Sequence, residues 1–381
     1  MKRRSLLAGV SALAASGATG DDEFPIVRDE VCLNNAHWHP MSVGAMRAAQ
    51  KYLEFKSHGF GSYAEYGIEL QKQVRGEFAK LIGAKTEEIS YVPSTMGGEN
   101  LVVNGMLPDL AGGGNIVTDA LHFEGSLYLY GELAKKGLDV RVVPARENRI
   151  HLADLERVID RKTKLVAVSL VSMFNGFQHD LNAVCDLAHS RGAVVYADII
   201  QAAGAVPLDV TQSGVDFCAC ASYKWLMGDM GVGFLYARAD RLGAVVRKSV
   251  YGYRQPSATG AASYFEVGTI ANTVIACLSY SLPYLRQTGV VRIQAQRQPL
   301  VDRIQKEMAS IGGFRPLTPA GSTSPIVSFA RDNARRDLLP RLRAAKVNIE
   351  VYEHRVRISP SVYNAQADVD KLLDCLRRTS G

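Results

Sequence analysis

A chain of 381 residues, 47% hydrophobic and 22% charged, has the composition of an ordinary globular protein of one large domain or two, able to bury a core without disulfide staples. Its net charge is +6, and Lys2, Arg3 and Arg4 supply half of that. The remainder is too mild to argue for nucleic acid or a membrane surface as a partner.

The N-terminus reads as an export signal over 1–18. Three basic residues precede an apolar run from Leu6 to Ala15, and Ser16 and Ala18 suit a cleavage site. The run is too short to span a membrane. Arg3-Arg4 before Ser5-Leu6-Leu7 resembles a twin-arginine signal, which carries proteins already folded. That expects a periplasmic protein, or a cytoplasmic one where the signal does not function. Next come a short strand at Val31–Ala36, an irregular stretch holding His37, Trp38, His39 and Pro40, and helical patterning over about 43–56 and 70–81.

From Ile89 the pattern alternates. Apolar strands are expected at Ile89–Val92, Ile116–Thr118, Val140–Val143, Lys164–Leu170, Ala193–Ala197, Asp216–Ala221 and Gly233–Ala237, with helices at about 125–136, 152–160 and 180–191. Near-continuous apolar strands separated by helices mean an α/β fold: a mostly parallel seven-stranded sheet covered on both faces. Ligands of such sheets bind beyond the carboxyl ends of the strands. Near 280 the composition changes. A helix at about 279–311, broken at Pro299, leads to a smaller α+β unit with strands near 326–329, 347–352 and 356–359 and helices at about 335–345 and 368–378. The large domain therefore spans 30–280 and the small C-terminal domain 281–381.

Five features at strand ends agree on one chemistry. Pro93-Ser94-Thr95-Met96-Gly97-Gly98-Glu99-Asn100 follows a strand and opens a helix, so backbone N–H groups and the helix's positive end can face a phosphate. His122 and Phe123 follow the next strand and can stack on an aromatic ring. Asp198 ends a buried strand and needs a cationic partner, for which a protonated pyridine nitrogen serves, while Gln201 can donate to an oxygen of the same ring. Lys224 stands at the mouth of an apolar strand, where burial disfavours the charged amine and makes it a nucleophile towards a carbonyl. Arg357 lies within an apolar strand of the small domain and matches a carboxylate. Phosphate cradle, stacking ring, ring acid, amine and carboxylate clamp together indicate pyridoxal 5'-phosphate and an amino-acid-like substrate. The six cysteines (32, 185, 218, 220, 277 and 375) show no metal-ligand spacing and read mostly as core residues.

Asp198…Gln201, Ser222-Tyr223-Lys224-Trp225 and Gly231-Val232-Gly233-Phe234-Leu235-Tyr236 resemble the class V aminotransferase family of fold-type I pyridoxal-phosphate enzymes, whose members include isopenicillin-N epimerases, cysteine desulfurases and kynureninases. Gly268-Thr269 and Val356-Arg357-Ile358-Ser359…Tyr363-Asn364 fit it too. The resemblance implies that Lys224 holds the cofactor as a Schiff base and then moves the α-proton. Asp198 would hold the pyridine nitrogen, Gln201 the ring oxygen, and His122 would stack on the ring. Thr95, the Met96 backbone, Ser222 and Tyr223 would bind phosphate, with Thr269 supplied by the second subunit of a homodimer. Arg357 would bind the substrate carboxylate, assisted by Asn35.

Three departures bear on the reaction. Tyr223 stands where many relatives carry histidine, and Met173 where desulfurases often carry asparagine. No cysteine lies between Cys277 and Arg357, where a desulfurase needs its loop thiol, so the sequence reading excludes a persulfide-forming cysteine desulfurase. It favours transamination, with epimerisation or racemisation and β-elimination as alternatives, and a non-catalytic binding protein on the same fold as the non-enzyme reading.

Overall fold

Seven strands make the central sheet of the computed structural model, which describes residues 23–58 and 63–377. They are β2 (Ile89–Val92), β3 (Asn115–Asp119), β4 (Asp139–Val143), β5 (Thr163–Ser169), β6 (Val194–Asp198), β7 (Phe217–Ala221) and β8 (Gly233–Ala237), following β1 (Val31–Cys32) near the start of the chain. Their spatial order is β2-β8-β7-β6-β5-β3-β4, and only β8 runs against the others. Every residue of β6 and β7 is buried, as expected of strands covered by helices on both faces. The expected α/β architecture is the one observed, with strand ends displaced by a residue or two. The export signal expected at 1–18 lies outside the described residues.

The helix Thr95–Ala111 crosses β7 closely because Gly98 lacks a side chain: a Cβ there would sit 2.8 Å from the Ala219 Cβ. That contact fixes where the helix begins relative to the sheet. The long C-terminal helix breaks elsewhere than expected. It divides into Asn272–Thr288 and Val290–Ala309 at Gly289, whose φ of 82° is a turn conformation glycine adopts at little cost, while Pro299 lies inside the second helix.

A second core, including Leu300, Ile304, Phe329, Val356 and Leu372, packs beneath a four-stranded antiparallel sheet. Its strands are β9 (Arg315–Pro316), β10 (Val327–Ala330), β12 (Glu350–Val351) and β13 (Arg355–Ile358). The N-terminal segment binds the C-terminal unit through β1, which pairs in parallel with β11 (Val347–Asn348), and through an Asn34–Ser359 bridge. The small sheet also leans on the loop after β5, where Ser328 Oγ donates to the Phe174 carbonyl at 2.9 Å and Arg357 Nη1 to the Met173 carbonyl at 3.3 Å. Those contacts carry an arginine of the C-terminal unit to the carboxyl edge of the large sheet.

Candidate active site

β7 delivers the lysine. Beyond its five buried residues the chain turns sharply: Ser222 Oγ donates to the Asp229 carbonyl at 2.7 Å, and the Gly228 N–H donates to the Ser222 carbonyl at 2.9 Å. Lys224 emerges from this turn 8% exposed, and no ion pair reaches it among the described residues. Burial pushes its amine down to about 8, the like charge of Arg357 adds to the effect, and Asp198 opposes it.

Asp198 ends the neighbouring strand and is 4% exposed. Its Oδ1 accepts the Ile200 N–H at 2.9 Å, yet burial pushes the carboxyl up to about 6 against the opposing charge of His122. An acid in this state calls for a cation. Gln201 is locked by both ends of its amide: Nε2 donates to the Ala36 carbonyl at 3.0 Å, and Oε1 accepts from Trp225 Nε1 at 2.8 Å. One amide hydrogen remains for the cavity.

A cavity of about 230 Å³ brings together Thr95, Met96, Asp198, Gln201, Tyr223 and Lys224, with Ser94, Phe123, Ser169 and Met173 also in its wall. Ser94 caps the helix by accepting the Gly97 N–H at 3.0 Å. Thr95 Oγ1 accepts the Ala221 N–H at 2.9 Å and so ties the helix start to the end of β7. The helix therefore points its positive end at the same space as the acid and the amine. A buried acid and a buried amine, both without an ion-pair partner, together with a helix start, fit pyridoxal phosphate. Its ring nitrogen can carry the proton that Asp198 requires, its carbonyl suits the amine, and its phosphate suits the helix N-terminus.

Five expected site residues lie outside that wall. The Ser222 hydroxyl closes the turn after β7 rather than facing the cavity. Asn35 is fully buried between other partners, its Nδ2 donating to the Ser359 carbonyl at 2.8 Å and its Oδ1 accepting from Tyr363 at 2.6 Å, so it ties the N-terminal segment to the C-terminal unit. Thr269 lines a separate groove with Gly231, Val232 and Gly268. His122 lies behind the wall, its Nδ1 2.8 Å from the hydroxyl of the wall residue Ser169. Arg357 is 2% exposed; its Nη2 lies 3.7 Å from Glu350 Oε2, its Nε has no partner, and burial lowers its pKa.

Sequence reasoning missed Glu99, Ser169 and Glu350. Glu99 was visible only as part of a helix start, and an acid five residues into a helix ordinarily faces water. Ser169 had a signal, since it ends the strand beside Asp198. Glu350 had none, because its place beside Arg357 follows from the pairing of β12 with β13.

A model of the family described as aminotransferase class-V matches residues 44–372. The chain is 27% identical to the uncharacterized aminotransferase YcbU of Bacillus subtilis, over 92% of this chain and 95% of that protein. It is also 27% identical to a probable cysteine desulfurase of Methanothermobacter thermautotrophicus, over 82% and 80%. Among solved structures it resembles C-DES, with glycine covalently linked to the pyridoxal-phosphate cofactor (TM-score 0.85, 20% identity, 94% and 98% covered). The same protein, a cystine C–S lyase, is also solved with its reaction product cysteine persulfide (TM-score 0.84, 20% identity, 93% and 99% covered).

These relatives overturn the exclusion of cysteine desulfurases. The gap in cysteines between 277 and 357 is real, but a relative over four-fifths of the chain bears that name. In C-DES, moreover, the persulfide belongs to the product. The inference from a missing loop thiol to a missing reaction does not hold.

Proposed function

This chain belongs to the aminotransferase class-V family and its cofactor is pyridoxal phosphate, and on that premise we propose that it cleaves the carbon–sulfur bond of a cysteine-like amino acid. The observation that carries the chemistry is the pairing of a buried amine, Lys224, with a buried acid, Asp198, on one cavity. The names of the relatives carry the choice of sulfur.

When bound, pyridoxal phosphate supplies an electron sink that acidifies the substrate's Cα–H. Asp198 would hold the proton on the ring nitrogen, Gln201 would offer its remaining amide hydrogen to the ring, and His122 would support the wall from behind Ser169. Thr95 and the Met96 backbone would hold phosphate at the helix start, with the Tyr223 hydroxyl as a further donor. Arg357 draws the substrate carboxylate towards the small sheet, in competition with Glu350. Lys224 accepts the Cα proton, a task suited to an amine held near neutrality. The β-sulfur then departs with the electron pair of the C–S bond.

Two further parts of the reading concern setting. Thr269 sits on the segment that exposes Tyr251 and Tyr253, 81% and 69% accessible, which suits a homodimer in which each copy completes the other's phosphate site. The basic and apolar start of the chain supports export to the periplasm.

The test is to incubate the cofactor-loaded protein in deuterated water with L-cysteine, L-cystine, or L-alanine plus a keto acid, following sulfide colorimetrically and organic products by proton NMR. Sulfide from L-cysteine, or cysteine persulfide from L-cystine, released together with pyruvate and ammonia is the expected result. Amino-group exchange without sulfur release would instead establish transamination, the reading that the likeness to YcbU favours. Deuterium at Cα with the amine retained would establish epimerisation.

A further inference from the structure

Glu99 has no part in the chemistry described so far, yet it is fully buried. It lies on the buried side of the helix Thr95–Ala111, where its Oε2 accepts from Ser126 Oγ at 2.6 Å and its Oε1 from the Tyr130 hydroxyl at 2.7 Å. His122 Nε2 lies 3.3 Å from Oε1, an ion-pair distance without the alignment of a hydrogen bond. The other imidazole nitrogen, Nδ1, accepts the Phe123 N–H at 2.9 Å and meets Ser169 Oγ at 2.8 Å. With Nδ1 accepting a backbone N–H, the neutral imidazole keeps its hydrogen on Nε2, facing Glu99; on protonation Nδ1 gains a hydrogen that Ser169 Oγ can accept.

We propose that Glu99 is a positioning residue for the cofactor, acting through His122: it fixes the proton and the plane of the imidazole behind the cavity wall, beside Asp198. The proposal rests on the cofactor assignment but not on which bond is cleaved.

A carboxylate without access to water is costly, and two hydroxyl donors satisfy its lone pairs without balancing its charge. His122 supplies the balance. Burial pulls the His122 pKa down and Glu99 more than offsets this, so the imidazole ends above its ordinary value and Glu99 below its own. The other groups bearing on this imidazole are Asp119 at the end of β3, Asp198 at the end of β6 and the Tyr130 ring, 6.2 Å away by centroid. Both aspartates act in the same direction as Glu99. His122 in turn favours the ionised form of Asp198, the acid assigned to the ring nitrogen. A merely structural Glu99, bracing its helix against Glu124–Lys135, would need only Ser126 and Tyr130.

A double-mutant cycle separates the two roles. Pyridoxal phosphate is titrated by absorbance into cofactor-free wild type, Glu99→Gln, His122→Gln and the double variant. Each single change is expected to weaken binding about tenfold, and the double variant no more than His122→Gln alone, because Glu99 acts through the imidazole. Multiplied losses in the double variant, or binding by Glu99→Gln within twofold of wild type, would overturn the proposal. A second measurement covers a variant that fails to fold. In cofactor-free wild type carrying ring-labelled histidine, His122 (assigned by its loss in His122→Gln) should titrate above the ordinary value of 6.5. Titration at or below that value would refute the charge pairing, whatever reaction the loaded enzyme performs.

Discussion

The state of the Lys224 amine can be displaced in two opposite directions. At an ordinary pKa of 10.5, about one lysine in three thousand is uncharged at pH 7. At about 8 the fraction is about one in ten, so the site offers roughly 300 times more nucleophile. Burial does most of this. Arg357 adds to it by like-charge repulsion, and Asp198 works against it. Arg357→Met should therefore raise the pKa by about one unit and Asp198→Asn lower it by about one unit, the scale of a single nearby charge. At pH 7 the uncharged fraction would fall roughly tenfold in the first variant and rise to about half in the second. Competitive acetylation of the cofactor-free protein across pH, with the Lys224 peptide quantified by mass spectrometry, reads the midpoint directly. A wild-type midpoint above 10, or displacement of both variants in one direction, would refute the argument that burial and these two charges set the amine.

Lys224→Ala should abolish the visible absorption of the bound cofactor and C–S cleavage together, read by spectrophotometry and a sulfide assay. Asp198 gives a pH signature in the cofactor-free protein. Its folded pKa of about 6 exceeds its unfolded value of 3.8, so its contribution to stability is fully present below about pH 4 and is lost as pH rises through 6. The stability difference between wild type and Asp198→Asn should accordingly fall by about 2 kcal/mol between pH 4 and 6.5 in urea titrations, and a flat difference would contradict the shift. Gly98→Ala should destabilise by about 1–3 kcal/mol, seen as a lower thermal midpoint, because the added Cβ meets the fixed Cβ of Ala219 at 2.8 Å.

The fold was legible because its signal is periodic. Apolar strands of four to seven residues, separated by amphipathic helices, allow few arrangements other than a covered parallel sheet, and the strand ends then converge on one edge. What the periodicity could not supply was the break between the two long helices. A proline inside a helix looks like an interruption, whereas a glycine at 82° makes one. Lys224 and Asp198 could be identified for a related reason: each is a charged side chain at the end of an apolar strand, where the charge must be explained. Asn35 misled because an asparagine carries no sign of which partners will satisfy it, and here Ser359 and Tyr363 do so.

Charge pairing around the cavity explains why the remainder was hidden. His122 faces Glu99 across 23 residues of chain, and Arg357 faces Glu350 across the pairing of two adjacent short strands. Neither acid announces itself locally, since the first looks like an ordinary helix glutamate and the second like a short edge-strand glutamate. With those two cations facing other acids and Lys224 in no ion pair, Asp198 is left, among the described residues, as an acid at the cavity without an ion-pair partner. The carboxyl is thus open to a positive partner brought by the ligand. A protonated ring nitrogen meets that demand, and a ring without a basic nitrogen at that place would leave the carboxyl without a compensating charge.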